Sequence, residues 1–76
     1  MTNRIEINPK VCGGKPVIAG TRIPVSVLLE LLAAGESWEE ILSGYPELSS
    51  DDMKAALLYA KESIEHTDIL PLSATP

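Results

Sequence analysis

The residues best able to do chemistry in this chain are few and far apart. Cys12 is the only cysteine and His66 the only histidine. A nucleophile must lie within hydrogen-bond reach of its general base, and no serine or cysteine is expected beside His66. One cysteine and one histidine also supply at most half the ligands of a zinc site. The sequence therefore predicts no enzyme activity, no catalytic residue, no bound metal and no cofactor.

Two acidic pairs, Glu39-Glu40 and Asp51-Asp52, could pass for the paired carboxylates of an acid–base catalyst. Each pair instead follows a serine at the spacing of a helix capping box, with Ser37 three residues before Glu40 and Ser49 three residues before Asp52. The capping interpretation explains both pairs. We expect these carboxylates to begin helices rather than to catalyse a reaction.

The stretch Gly13–Val25, GGKPVIAGTRIPV, resembles a phosphate-binding loop at first sight. A P-loop reads G-x-x-x-x-G-K-S/T, with its lysine after the second glycine, whereas Lys15 follows the first glycine pair here. No apolar strand of normal length precedes it. The stretch instead predicts a short strand over Val17–Ala19, a turn at Gly20-Thr21 and a helix start at Pro24.

The elements around this stretch predict a mainly α fold. Residues 4–7 alternate polar and apolar and should pair with the strand at Val17–Ala19. Helices are expected from about Pro24 to Ala34, from Ser37 to Gly44, and from Ser49 to His66. We predict one domain over residues 1–66, with a β-ribbon arm over 1–23 and a bundle of three helices, and a flexible tail over 67–76.

The first predicted helix is apolar on two sides, which a chain of 76 residues can hardly cover. One side carries Val25, Leu28, Leu29 and Leu32, and the other carries Val27 and Leu31. We therefore expect a homodimer whose interface includes Val27, Leu28 and Leu31. The buried face predicted for the third helix consists of Met53, Ala56, Leu57, Ala60 and Ile64.

The net charge of −5 argues against strong non-specific binding to nucleic acid. The second and third helices nevertheless outline a helix-turn-helix, and a dimer would double its few cationic contacts. The candidate nucleic-acid-binding residues are Lys15, Arg22, Ser50, Lys54 and Lys61. No apolar signal segment or membrane-length run is present, so we expect a cytoplasmic protein without a membrane or small-molecule partner.

The C-terminal stretch combines acidic and apolar residues, an arrangement that is usual at protein interfaces. The candidate partner-binding residues are Glu65, Asp68, Ile69, Leu70 and Leu72. Two interpretations have equal weight. The tail binds a partner protein, as segments that fold on binding do, or Ile69 and Leu72 fold back on the domain's own core.

Several motifs resemble one family along almost the whole chain. They are Cys12–Ile18, Gly20–Val25, Leu31–Gly35, Trp38–Leu42, Tyr45–Leu48 and Asp51–Ala60. Together they resemble the domain-of-unknown-function family numbered four hundred and thirty-three. That family is similar to the VapB-type antitoxins, and it is placed among homeodomain-like helix-turn-helix folds.

The resemblance implies a non-enzymatic, antitoxin-like protein that binds a cognate PIN-type ribonuclease toxin, with its own operator DNA as a second candidate ligand of the dimer. It supplies no catalytic residues to carry over. The alternative is a small protein-interaction or dimerisation module with no DNA-binding role. A PIN-domain reading frame next to the gene would favour the antitoxin.

Overall fold

The computed structural model describes residues 4–66, which form an N-terminal β-ribbon followed by three helices. The strands are β1, Ile5–Glu6, and β2, Val17–Ile18; the helices are α1, Val25–Ala33, α2, Trp38–Gly44, and α3, Ser50–Glu65. A single 3₁₀ turn, Cys12–Gly14, lies between the strands. This architecture confirms the prediction of a mainly α fold with a β-ribbon arm.

The ribbon pairs its strands antiparallel, with Ile5 opposite Ile18 and Glu6 opposite Val17. β2 also pairs with the segment that follows it in the chain. The Ile18 N–H donates to the Ile23 carbonyl at 3.0 Å, and Val17 forms an antiparallel bridge with Pro24. A turn at Gly20-Thr21 makes this possible, with the Thr21 hydroxyl donating to the Ile18 carbonyl at 2.8 Å. The ribbon therefore leads directly into α1.

Helix α1 packs against both α2 and α3, and α3 also contacts β1. Pro24 precedes it in an extended conformation, and Gly35, with φ near +96°, ends it in the left-handed conformation that glycine tolerates. Val25 and Leu28 are buried, while Leu29, Leu31 and Leu32 pack partly against the core.

Leu28 is one of the three residues predicted for the dimer interface. Its side chain is 1% exposed within one chain, because it belongs to the core that α1 forms with α2 and α3. Val27 and Leu31 are half-buried, and Leu31 packs against the same core. One chain buries Val25 and Leu28 on the first side of α1, and it leaves Val27 and Leu31 on the other side half-buried.

Both predicted capping boxes are present. The Ser37 hydroxyl accepts from the Glu40 N–H at 3.0 Å, and the Glu40 carboxylate accepts from the Ser37 N–H at 2.7 Å. At the start of α3, Ser49 and Asp52 make the same reciprocal pair at 3.2 and 2.9 Å. These bonds satisfy N–H groups that the first helical turn leaves without partners.

The core contains residues from β2, from α1, from both later helices and from the segments between them. Its buried members are Ile18, Ile23, Val25, Leu28, Ile41, Leu48, Met53 and Ala56. Met53 and Ala56 confirm part of the predicted face of α3. Leu57 and Ile64 were expected in that face and are exposed by 39% and 67%. The reason is length, because the core covers only the first turns of α3.

Candidate interaction surfaces on the third helix

Cys12 and His66, the two isolated residues with reactive side chains, lie in a turn and at a helix end. Cys12 sits in the 3₁₀ turn with φ near +50°, and its thiol donates to the Arg22 carbonyl at 3.4 Å. His66 is the C-cap of α3 and is exposed. Within residues 4–66 no group of three or more His, Cys, Asp or Glu side chains could hold a metal ion. No helix in the same stretch is long and apolar enough to cross a membrane.

The first part of α3, residues 50–56, is tied to the N-terminal arm by an ion pair that sequence reasoning missed. The Arg4 guanidinium donates to the Asp52 carboxylate at 2.9 Å and lies 3.7 Å from that of Asp51. Asp52 is also a member of the capping box with Ser49. The partners are 48 positions apart, so no local pattern signals the contact.

The environment of Asp52 lowers the pKa of its carboxyl group. Burial acts in the opposite direction, by disfavouring the charged form, but hydrogen bonds from Ser49 and Arg4 and the charge of Arg4 outweigh it. The carboxylate is therefore stabilised as an anion at the positive end of the helix dipole.

The second part of α3, residues 57–65, has no buried residue. Together with Lys54 of the preceding turn, one side of it forms a continuous solvent-facing surface at spacings of three and four residues, which we call the outer face. Its members are Lys54, Leu57, Leu58, Lys61 and Glu65. Leu58 is 53% exposed, and Lys61 pairs with Glu65 at 3.1 Å. Two leucines thus stand among charged groups, an arrangement suited to protein contact.

The opposite side of the same helix borders an apolar groove against α1, which we call the α1–α3 groove. Its volume is about 470 Å³, within the range of about 300–1,000 Å³ typical of binding pockets. The lining residues are Lys15, Pro16, Val25, Ser26, Leu29, Tyr59, Ala60, Ser63 and Ile64. Sequence reasoning missed this groove because it expected Ala60 and Ile64 to be covered by the core.

The five candidate nucleic-acid-binding residues are all exposed, but they are distributed over the molecule. Lys15 borders the groove, and Arg22 follows β2. Ser50 and Lys54 share a side of the first turns of α3, next to Asp51, while Lys61 belongs to the outer face. No compact basic patch results. Of the candidate partner-binding residues, Glu65 ends α3, and Asp68, Ile69, Leu70 and Leu72 lie outside the described residues.

The protein is a small helical domain with a two-stranded N-terminal ribbon. Its geometry matches the crystal structure of a DUF433 member protein from Anabaena variabilis, with a TM-score of 0.80 and 41% sequence identity over 84% of this chain. Residues 5–60 match the family model described as "Protein of unknown function (DUF433)". The chain belongs to this family.

A curated relative is also similar. The protein described as "Uncharacterized protein y4eO", from Sinorhizobium fredii, is 39% identical over 57 residues, or 75% of this chain. The chain spans only 26% of that protein, and it spans 63% of the Anabaena chain. Both comparisons support the fold and the family, and neither assigns a function.

Proposed function

We propose that this protein is a non-enzymatic, antitoxin-like protein that binds a PIN-type ribonuclease through the outer face of α3. The observation that carries the proposal is the exposure of Leu57 and Leu58, by 39% and 53%, on one helix side among charged residues. Apolar side chains surrounded by charge form the centre and rim of many protein interfaces. The choice of a ribonuclease as partner rests on the resemblance to VapB-type antitoxins.

The chemistry of the outer face sets what the partner must provide. Leu57 and Leu58 need an apolar recess, and Lys54 needs an acceptor at its edge. Lys61 and Glu65 already neutralise each other, which lowers the cost of covering them. Because the outer face lies on a regular helix, it presents these groups without a large change of shape.

The test starts with a search of the reading frames beside this gene for a PIN-domain ribonuclease, followed by an RNA-cleavage assay with that ribonuclease in purified form. We expect an equimolar amount of this protein to inhibit cleavage. Leu58→Ser should weaken the complex about tenfold or more, because a central apolar anchor commonly contributes at least about 1.4 kcal/mol.

Ile7→Ser is the matched control, because Ile7 is also an exposed aliphatic side chain but lies in the arm. It should inhibit as the parent does. Full activity of the ribonuclease at micromolar concentrations of the parent protein, with no complex detected by gel filtration, contradicts the proposal.

Operator DNA is a second candidate ligand, favoured by the exposure of all five cationic or polar candidates. Lys54 and Lys61 are common to the DNA candidates and the outer face, so the two ligands would compete for them. We expect operator binding to be salt-sensitive, to involve few phosphates per subunit, and to lose affinity markedly with Lys54→Glu. Unchanged operator affinity in that variant removes α3 from the DNA interface.

The homodimer is also a proposal, supported by the half-buried Val27 and Leu31 on α1. Val27→Glu is the better test, because Leu31 contributes to the core of one chain. Light scattering at micromolar concentration should show a dimer for the parent and a monomer for the variant. A monomeric parent protein contradicts this interface.

A further inference from the structure

The α1–α3 groove opens beside the end of α3. Ile64 lines it, and the helix ends one residue later, at Glu65. The chain therefore leaves α3 at the edge of an apolar recess about 470 Å³ in volume. Tyr59, Ala60 and Ile64 on one side face Val25 and Leu29 on the other.

We propose that the α1–α3 groove is the binding site for residues 69–72 of the same chain, Ile69-Leu70-Pro71-Leu72. This segment is the first apolar run after α3 and lies outside the described residues. The groove is on the other side of the helix from the outer face. Docking in the groove would therefore leave the outer face free for the ribonuclease. Of the two interpretations of the tail, it corresponds to the one in which the tail folds back on its own domain.

The chain length fits this site. A chain reversal needs four residues whose ends lie within about 7 Å of each other, and residues 65–68 can supply it between Ile64 and Ile69. Four extended residues then span about 10 Å. Tyr59 to Ile64, the groove's wall on α3, rises about 7.5 Å along the helix axis. The segment can therefore run back along the whole wall.

The composition of the segment matches the lining. Ile69, Leu70 and Leu72 are apolar, as most of the lining is, and their burial would remove apolar surface of both partners from water. Proline biases the residue before it towards an extended conformation, so Pro71 would favour an extended Leu70 in a docked segment.

The charges at the groove's edge are complementary as well. Lys15 lines the groove and is exposed, and within residues 4–66 it forms no ion pair. Asp68 directly precedes the apolar run. We extend the proposal to a pair between this carboxylate and Lys15. The pair would fix the direction in which the segment runs.

The direct test is NMR spectroscopy of the full chain. We expect nuclear Overhauser effects between the methyl groups of Leu70 or Leu72 and the ring of Tyr59. Leu70→Ser with Leu72→Ser should abolish them, shift the signals of Leu29 and Ala60, and lower the thermal midpoint by roughly 4–8 °C. Leu58→Ser, on the outer face, is the matched control and should leave all groove signals in place.

A charge exchange tests the orientation. Lys15→Glu should reduce the docking equilibrium constant about twofold to fivefold, the size expected of an exposed ion pair, and Asp68→Lys in the same protein should restore it. Docking that responds to neither substitution contradicts the assigned direction.

Two results overturn the proposal. One is the absence of contacts between residues 69–72 and the groove, with unchanged groove signals after the double substitution. The other is contacts that appear only between differently labelled chains in a mixed sample, which would assign the groove to a second copy. Ribonuclease inhibition is not involved in either measurement, so failure here is distinguishable from failure of the proposed function.

Discussion

The two parts of α3 belong to one regular helix but have different surroundings. In residues 50–56, Asp52, Met53, Ala55 and Ala56 are buried, and the capping box and Arg4 fix the helix start. In residues 57–65 no side chain is buried, and Lys61–Glu65 is an ion pair within the helix itself. The first part holds the fold together, whereas the second leaves its side chains partly or fully open to solvent.

The difference has a geometric cause. The 16 residues of α3 extend about 24 Å, while the nine of α1 extend about 13.5 Å. A helix longer than its neighbours carries its apolar pattern beyond the core they share. Apolar residues that recur at helical spacing therefore predict that one face of a helix is buried. They do not show whether the element that buries this face belongs to the same domain or to another molecule.

The largest effect should come from removing a buried side chain of the first part. Met53→Ala is expected to cost about 2–5 kcal/mol of unfolding free energy, because Met53 is 1% exposed and its loss leaves a cavity. Leu58→Ala in the second part should cost no more than about 0.5 kcal/mol. Urea denaturation of both variants measures the contrast, and equal losses would show that the two parts are equally packed.

An intermediate effect is expected from the two ion pairs. Arg4 joins the arm to α3 through a carboxylate that is 12% exposed, so Arg4→Ala should cost about 1–2 kcal/mol. Lys61 and Glu65 are both more than half exposed, and Lys61→Ala should cost at most about 0.5 kcal/mol. A double-mutant cycle for each pair isolates the coupling energy. If the coupling energy of Lys61–Glu65 is as large as that of Arg4–Asp52, the two ion pairs contribute equally to stability, and the predicted contrast between the two parts of α3 is contradicted.

The smallest effect should be seen in the dependence of stability on pH. The pKa of Asp52 is lower in the folded protein than in the unfolded chain, so its contribution is complete above the ordinary aspartate value. It is lost as the pH falls through the lower folded pKa. Asp52→Asn should therefore flatten the fall in stability between about pH 5 and pH 2, measured as the urea midpoint. If the urea midpoint of the variant falls with pH as steeply as that of the parent protein, other carboxyl groups cause the loss of stability.

Local signals in the sequence were sufficient for most of the fold. Ser37 with Glu40 and Ser49 with Asp52 begin their helices as predicted, because capping depends on residues three apart. The ribbon register follows the alternation in residues 4–7 and the β-branched pair Val17-Ile18.

The interaction surfaces needed more than local signals. Leu28 was assigned to a dimer because the helical period shows that a residue is apolar without showing which element covers it. The ion pair of Arg4 with Asp52 and the α1–α3 groove depend on how distant segments pack. Those arrangements arise from helix lengths and crossing positions, which residue spacing does not encode.

The contact between Arg4 and Asp52 also has a consequence for the order of folding. The helices can meet through short connections, whereas this bond must close a loop spanning 48 positions. We expect the arm to dock after the main folding barrier has been crossed, so that the ribbon forms last. Arg4→Ala should then accelerate unfolding and leave the folding rate nearly unchanged, as for any contact absent from the transition state.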